Sequence, residues 1–306
     1  MTERIWKNDL LSPGHMGCPG CGASLAMRYV LEILGEKTIV VMPAGCWPTF
    51  VGLYPTSCLK VPVMSVPFAT TAAAASGVKA SMAVQGRGDV TVLGWAGDGG
   101  TFDIGIQALS GAAERNADIL YVCYDNEAYM NTGIQRSSAT PAGCWTTTTP
   151  MSALKKEPKK DMVNILAAHR VPYAATASVG FPDDLMKKVQ KAKEIQGTRF
   201  IHIFASCPTG WRYETQLGIE VARKAVACRV FPLYEVFEGD DWQTNEMPQK
   251  TPVDDYLDMQ GRFRGLDLEN RLQFQARVDE EWNRLLKRSR PPFRPHDALP
   301  AHWQEP

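Results

Sequence analysis

A chain of 306 residues with 44% hydrophobic content is long enough for one large or two ordinary domains with a proper core, which places it among globular proteins. Its 33 basic and 33 acidic residues cancel, so no net field gathers nucleic acid or anionic lipid, and partners must be argued from sites. Residues 1–8 lack an apolar core and a small-residue cleavage site, and residues 61–84 are interrupted by Pro62, Pro67 and Lys79; the expectation is a cytoplasmic protein with no secretion signal and no membrane span.

Eight cysteines in a reducing compartment argue against a disulfide framework, and several stand beside Gly and Pro as metal ligands often do. The first two lie in the turn-forming segment Gly17-Cys18-Pro19-Gly20-Cys21-Gly22. Apolar residues then recur at helical spacing over 23–34, with Gly35 placed to end the helix. Residues 38–42 read as a short buried strand running into Pro43-Ala44-Gly45-Cys46, so the third thiol is expected just past a strand end. An Ala-rich helix over 69–84 and a loop over 86–89 precede a second strand, 90–94, that leads into Gly97-Asp98-Gly99-Gly100. A helix over 103–114 and a third strand over 119–124 complete a strand–helix–strand unit ending at Asp125-Asn126. Both polar turns fall at carboxyl ends of strands, where open α/β sheets bind ligands.

Residues 131–158 are rich in Thr, Gly and Pro without a sustained period and read as a long functional loop. Helix, strand, helix and strand follow over 162–168, 173–177, 183–195 and 200–204, the last delivering Cys207 in Ser206-Cys207-Pro208-Thr209-Gly210. Beyond about residue 231 come a polar loop, a charged helix over 266–287 and a Pro-rich end. The expected fold is α/β, a mostly parallel sheet with helices on both faces. A principal domain is expected at 1–235, followed by a C-terminal arm at 236–306 that packs on a partner or wraps the domain.

A Mg2+ ion takes octahedral oxygen ligands and couples to phosphate oxygens. Asp98, Asn126 and the Ala128 carbonyl supply a carboxylate, an amide oxygen and a backbone oxygen, while Gly97, Gly99 and Gly100 let backbone approach phosphates. Taken alone, Gly-Asp-Gly is more often an ordinary strand-to-helix turn and Asp125-Asn126 an ordinary cap. Their separation by one crossover helix and one apolar strand shifts the balance to a diphosphate site resembling that of thiamine-diphosphate enzymes. Asn131 is a candidate to contact the diphosphate or the reacting carbon, or simply to fix the loop. By spacing alone Cys18, Cys21, Cys46 and Cys207 suit a four-thiolate zinc ion, a [4Fe–4S] cluster or two unrelated pairs. A redox cluster beside a carbanion-forming cofactor has the more evident task. Cys58, Cys123, Cys144 and Cys228 are assigned no role.

The segments 14–22, 97–101, 124–137 and 207–211, with the residues quoted above, resemble the β subunit of 2-oxoacid:ferredoxin oxidoreductases. The likeness runs in order from about Ser12 to Phe237 and returns over 252–257 and 260–263. It implies a thiamine-diphosphate-binding fold, a [4Fe–4S] cluster on Cys18, Cys21, Cys46 and Cys207, and Mg2+ on Asp98, Asn126 and Ala128. It also implies thiamine diphosphate contacts along 97–100 and 126–131, Met130 and Asn131 included; Cys46 is expected beside the thiamine as well, because its strand end adjoins the diphosphate turn. The implied reaction is oxidative decarboxylation of a 2-oxo acid, coenzyme A capturing the acyl group. Implied partners are an α subunit that supplies the pyrimidine-activating glutamate, γ and ferredoxin-like δ subunits, and ferredoxin or an NAD-linked subunit as acceptor.

Two departures matter. Ala23 stands where some relatives carry an acidic residue, and Trp47 and Trp95 are bulky neighbours of the presumed site. With Phe102, Trp145 and Trp211 they suggest an aromatic pocket for an aryl 2-oxo acid such as phenylglyoxylate or indolepyruvate; the plainer account makes them packing residues. Pyruvate or a branched-chain 2-oxo acid is the alternative substrate. A non-redox thiamine decarboxylase or carboligase, and a non-catalytic electron-transfer subunit, are the rival functions.

Overall fold

Apolar runs bounded by Gly, Pro or Asp form the central strands, most of them buried on both faces as parallel strands flanked by helices must be. The computed structural model describes residues 9–290; the expectations for 1–8 and for the Pro-rich end beyond 290 lie outside the described residues. The first half runs α1 (Gly22–Leu34), β1 (Thr38–Pro43), α2 (Cys46–Val51), β2 (Val63–Val66), α3 (Thr71–Val84), β3 (Thr91–Gly97), α4 (Ile106–Glu114) and β4 (Leu120–Asp125). After the long loop come α5 (Met162–Ala168), β5 (Tyr173–Ser178), α6 (Pro182–Glu194), β6 (Arg199–Phe204), α7 (Pro208–Trp211) and α8 (Gly218–Ala227). The chain then continues through β7 (Tyr234–Phe237), β8 (Asp241–Thr244), α9 (Asp254–Leu257), α10 (Leu268–Arg288) and β9 (Ser289–Arg290).

The strands form one sheet in the order β2-β1-β3-β4-β6-β5-β7-β8-β9. It is parallel from β2 to β5, and β7 joins it antiparallel. Side chains alternate between two cores. Val40, Leu93, Trp95, Val122 and Ile201 meet α1, α6 and α8 on one face; Val41, Val92, Ala96, Cys123 and Phe200 meet α3, α4 and α5 on the other. That alternation carries β3 to Gly97, past the end expected from sequence, because Trp95 and Ala96 still bury into opposite cores. Helix α2 and edge strand β2 were not expected, since segments of six and four residues are too short to show a period. The arm boundary expected after residue 235 falls within β7, and β8 and β9 extend the same sheet. Among the described residues no helix is long and apolar enough to cross a membrane.

The turn after Gly97-Asp98 is a single π-helical turn, Gly99–Asp103, a form often found at functional sites. It is held open at its far end by Gly105, where an added Cβ would sit 1.9 Å from the Gly100 carbonyl oxygen. Gly105→Ala is therefore expected to cost about 1–3 kcal/mol by forcing that backbone apart. Thermal unfolding measures the loss, and unchanged stability would contradict the packing described.

Candidate cofactor and metal site

Strands β1, β3, β4 and β6 are consecutive and parallel in the sheet, so their carboxyl ends lie along one edge. The residues that follow them carry the chemistry: Cys46 after β1, Asp98 after β3, Asn126 after β4 and Cys207 after β6. Gly45 makes the sharp exit from β1 with φ +146°, a conformation that side-chain-bearing residues rarely adopt. Cys18 and Cys21 reach this edge from the other direction. The Gly22 amide donates to the Ser206 carbonyl at 2.9 Å, and an added Cβ on Gly22 would lie 2.7 Å from the Ser206 nitrogen, so the start of α1 is pressed against the turn that bears Cys207.

The four thiols sense one another. Burial first, then the charges of Cys207, Cys21 and Cys18, push the Cys46 thiol up to about 12. Burial likewise pushes Cys207 up to about 12, with Cys21 and Cys18 adding to it and the Gly210 amide opposing it. Four such groups become thiolates together only around a cationic centre. Among the described residues no three His, Cys, Asp or Glu side chains close around a single ion.

Asp98, 1% exposed, accepts a 2.5 Å hydrogen bond from Ser137 on one carboxylate oxygen. Its other oxygen, Oδ1, lies 3.0 Å from the Asn126 side-chain oxygen, which is also 3.0 Å from the Ala128 carbonyl oxygen. Turning the amide would convert both contacts into ordinary hydrogen bonds. With the amide turned, Asn126 ties the Asp98 carboxylate to the Ala128 carbonyl, so a carboxylate, a side-chain amide and a backbone carbonyl stand together, the hard oxygen donors that Mg2+ takes. The donor set thus fits Mg2+. Burial, then the Asp125 charge, pushes the Asp98 carboxyl well above the usual range, as expected for a carboxylate that lacks a cation.

Behind this triad is a buried charge network. Lys159 bridges Asp125 at 2.5 Å and Glu127 at 2.8 Å, and His202 Nε2 lies 2.7 Å from Asp125. Burial favours the neutral Asp125, but Lys159 and His202 overcome it and hold the group at about 2. Glu127, between two triad residues, adopts φ +63°. That conformation costs a side-chain-bearing residue ~1–2 kcal/mol and survives because its surroundings over-determine it. The Glu127 amide donates to Asp125 at 2.8 Å, its carbonyl accepts from Thr140 at 2.6 Å, and its carboxylate pairs with Lys159 and Arg262. Ser137 and Thr140 come from the long loop and Lys159 directly follows it, so the segment between β4 and α5 folds back over the site.

The remaining site residues fall as follows. Gly97 and Gly100 stand at the ends of β3 and in the π turn, and Gly99 faces the Tyr129 ring, 2.5 Å from where a Cβ would lie. Met130 packs on Gly210 beside Cys207, its sulfur 2.2 Å from the position a Cβ would take there. Asn131 is exposed on the turn closed by the Gly133 amide on the Met130 carbonyl. The aromatic pocket is corrected: Trp47, Trp95, Phe102 and Trp211 are 0% exposed. Trp47 stands edge-on to Trp95, which stacks on Tyr124, and Trp211 packs on Phe204. Trp145 is half-buried under the Arg212 guanidinium, 3.4 Å away. These rings fill the core instead of lining a cavity. Sequence reasoning gave Ser137, Lys159 and Arg262 no role, although Ser137 and Arg262 fall inside the resembling segments, because a lone Ser, Lys or Arg carries no local signal of what it will meet across the fold.

The thiamine pyrophosphate enzyme, C-terminal TPP binding domain, family matches residues 43–203, a span that begins at the end of β1 and ends in β6. The ketoisovalerate oxidoreductase subunit VorB of Pyrococcus horikoshii is 50% identical over 286 residues, covering 90% of this chain and 91% of that one. The pyruvate synthase subunit PorB of Methanothermobacter marburgensis is 47% identical over 279 residues, covering 90% and 97%. A 2-oxoglutarate:ferredoxin oxidoreductase from Magnetococcus marinus shares the fold, with TM-score 0.57 and 24% identity over 72% of this chain and 81% of that one. With its thiols and its acidic turn gathered at one sheet edge, the chain belongs to the 2-oxoacid:ferredoxin oxidoreductase family, as a thiamine-diphosphate-type β subunit of that enzyme complex.

Proposed function

We propose that this subunit binds thiamine diphosphate through Mg2+ held by Asp98, Asn126 and the Ala128 carbonyl, and carries a [4Fe–4S] cluster on Cys18, Cys21, Cys46 and Cys207. The observation that carries this reading is that the buried Asp98 carboxylate, the Asn126 amide and the Ala128 carbonyl meet, with the amide 3.0 Å from each of the other two, on the same sheet edge as the thiols. Bound thiamine diphosphate supplies the chemistry that decarboxylates a 2-oxo acid, and the cluster accepts electrons singly. The chain's own part is placement. Gly97, Gly99 and Gly100 let the acidic turn close against the Tyr124, Tyr129 and Phe68 rings, Ser137 orients the Asp98 carboxylate, and Met130 and Asn131 on the following loop would contact the cofactor.

The assembled enzyme, with α, γ and ferredoxin-like δ subunits, then oxidises the 2-oxo acid to CO2 and acyl-coenzyme A and passes electrons to ferredoxin or an NAD-linked subunit. The α subunit contributes the pyrimidine-activating glutamate. Eight free cysteines suit a cytoplasmic setting. For substrate, the named activities of the relatives and the burial of the aromatic residues favour a short or branched aliphatic 2-oxo acid over an aryl one.

Iron and thiamine analysis of the purified complex, followed by viologen reduction on a panel of 2-oxo acids, tests the reading. Expected are both cofactors and a higher kcat/KM for ketoisovalerate or pyruvate than for phenylglyoxylate. Thiamine without dye reduction would indicate a non-redox decarboxylase or carboligase, and iron without thiamine an electron-transfer subunit. Preference for phenylglyoxylate would restore the aryl substrate.

A further inference from the structure

Arg262 belongs to the C-terminal segment, far in sequence from every site residue, yet it is 1% exposed and central to the packing behind the site. Its Nε donates to Gln260 Oε1 at 2.9 Å and its Nη2 to the Tyr256 hydroxyl at 2.9 Å. Nη2 also lies 2.7 Å from Glu127 Oε2, and the guanidinium stacks 3.9 Å over the Trp211 ring. The Trp211 indole in turn donates to the Asn126 carbonyl at 2.8 Å. Trp211 ends α7, the short helix whose N-cap is Cys207, with the Gly210 amide on the Cys207 sulfur at 3.4 Å.

One guanidinium therefore grips two elements at once. On one side it pairs with the residue that turns the chain between Asn126 and Ala128. On the other it pins the ring that anchors Asn126 and closes the Cys207 helix. We propose that Arg262 is a positioning residue that locks the Asn126-Glu127-Ala128 turn and the Cys207 turn into a single frame, fixing the oxygen triad relative to the fourth thiol. The proposal rests on the reading of that triad as the Mg2+–diphosphate site. It assigns the C-terminal segment a task within this subunit. The fork geometry matters: an ammonium group can replace the charge facing Glu127, but it cannot also lie flat on Trp211.

The test uses the assembled complex carrying Arg262→Met, Arg262→Lys, Glu127→Gln, or Arg262→Met with Glu127→Gln. Mg2+–thiamine diphosphate affinity is measured by titration of cofactor-depleted complex, and the cluster by its EPR spectrum. Expected for Arg262→Met is a ~10–100-fold weaker affinity, the scale of losing a supporting residue behind a metal ligand, with iron retained and the EPR line shape altered. Arg262→Lys recovers part of the loss. Glu127→Gln also loosens the Lys159 pair, so the double variant is compared with Glu127→Gln, from which it should differ by less than Arg262→Met differs from the parent. Should Arg262→Met fail to fold with Glu127 held by Lys159 alone, the double variant removes the under-compensated charge and carries the measurement. A folded Arg262→Met or double variant with parental affinity and an unchanged spectrum overturns the proposal alone. A parental complex that binds no thiamine diphosphate overturns the cofactor reading, and this proposal with it.

Discussion

Replacing Asp98 by Asn is expected to weaken Mg2+–thiamine diphosphate binding by ~150–5000-fold and to remove 2-oxo acid oxidation with it. The scale is that of taking one partner from a buried charge pair, about 3–5 kcal/mol. Asn keeps the shape, and its side-chain oxygen remains available to the Ser137 hydroxyl, so what leaves is the charge. The cofactor-free protein is expected to respond in the opposite direction. Burial and the neighbouring Asp125 push the Asp98 carboxyl well above its ordinary range, so at neutral pH the ionised form destabilises the metal-free fold. A neutral Asn relieves that cost, and the cofactor-free variant should melt no lower than the parent. Titration calorimetry and thermal unfolding separate the two effects. Parental cofactor affinity in Asp98→Asn would remove Asp98 from the metal site.

Cys207→Ala is expected to strip the cluster. Iron content and the visible iron–sulfur absorbance fall to background, and substrate-dependent viologen reduction goes with them. Thiamine diphosphate binding persists in weakened form, because the Asp98, Asn126 and Ala128 oxygens are untouched. Burial holds the Cys46 and Cys207 thiols near 12 in the metal-free protein, so assembly has to release their protons, and loss of one ligand leaves the others without reason to ionise. Cys228→Ala is the control, since that thiol is buried against the Pro252 carbonyl, on α8's trailing end, and should keep its iron. Full iron in Cys207→Ala, or equal loss in both variants, would contradict the cluster assignment.

The strands of the central sheet were legible because each is a short apolar run closed by Gly, Pro or Asp, and a strand buried on both faces needs nothing else. Helices of ten residues or more, such as α1, α6 and α10, showed in their periodicity; α2 and β2, at six and four residues, did not. Asp98 and Asn126 stood out because Gly-rich turns at strand ends are local features. Burial is a different matter. Trp47, Trp95, Phe102 and Trp211 read equally well as pocket or core, and only their neighbours decide which, so the aryl-substrate argument lost its footing once those neighbours were in place.

Local order along the chain, the spacing of thiols, acidic turn and amide, and hence the family, were written in the residues themselves. The side-by-side arrangement of β1, β3, β4 and β6 is a tertiary fact, and it brings residues 46, 98, 126 and 207 to one edge. The same holds for the convergence of Lys159, Ser137 and Arg262 behind the oxygen triad. The physical reason is that periodicity reports which face of an element is apolar, whereas strand order and buried charge pairing depend on contacts between segments tens of residues apart, and more than a hundred for Glu127 and Arg262, whose partners are chosen only when the two cores close.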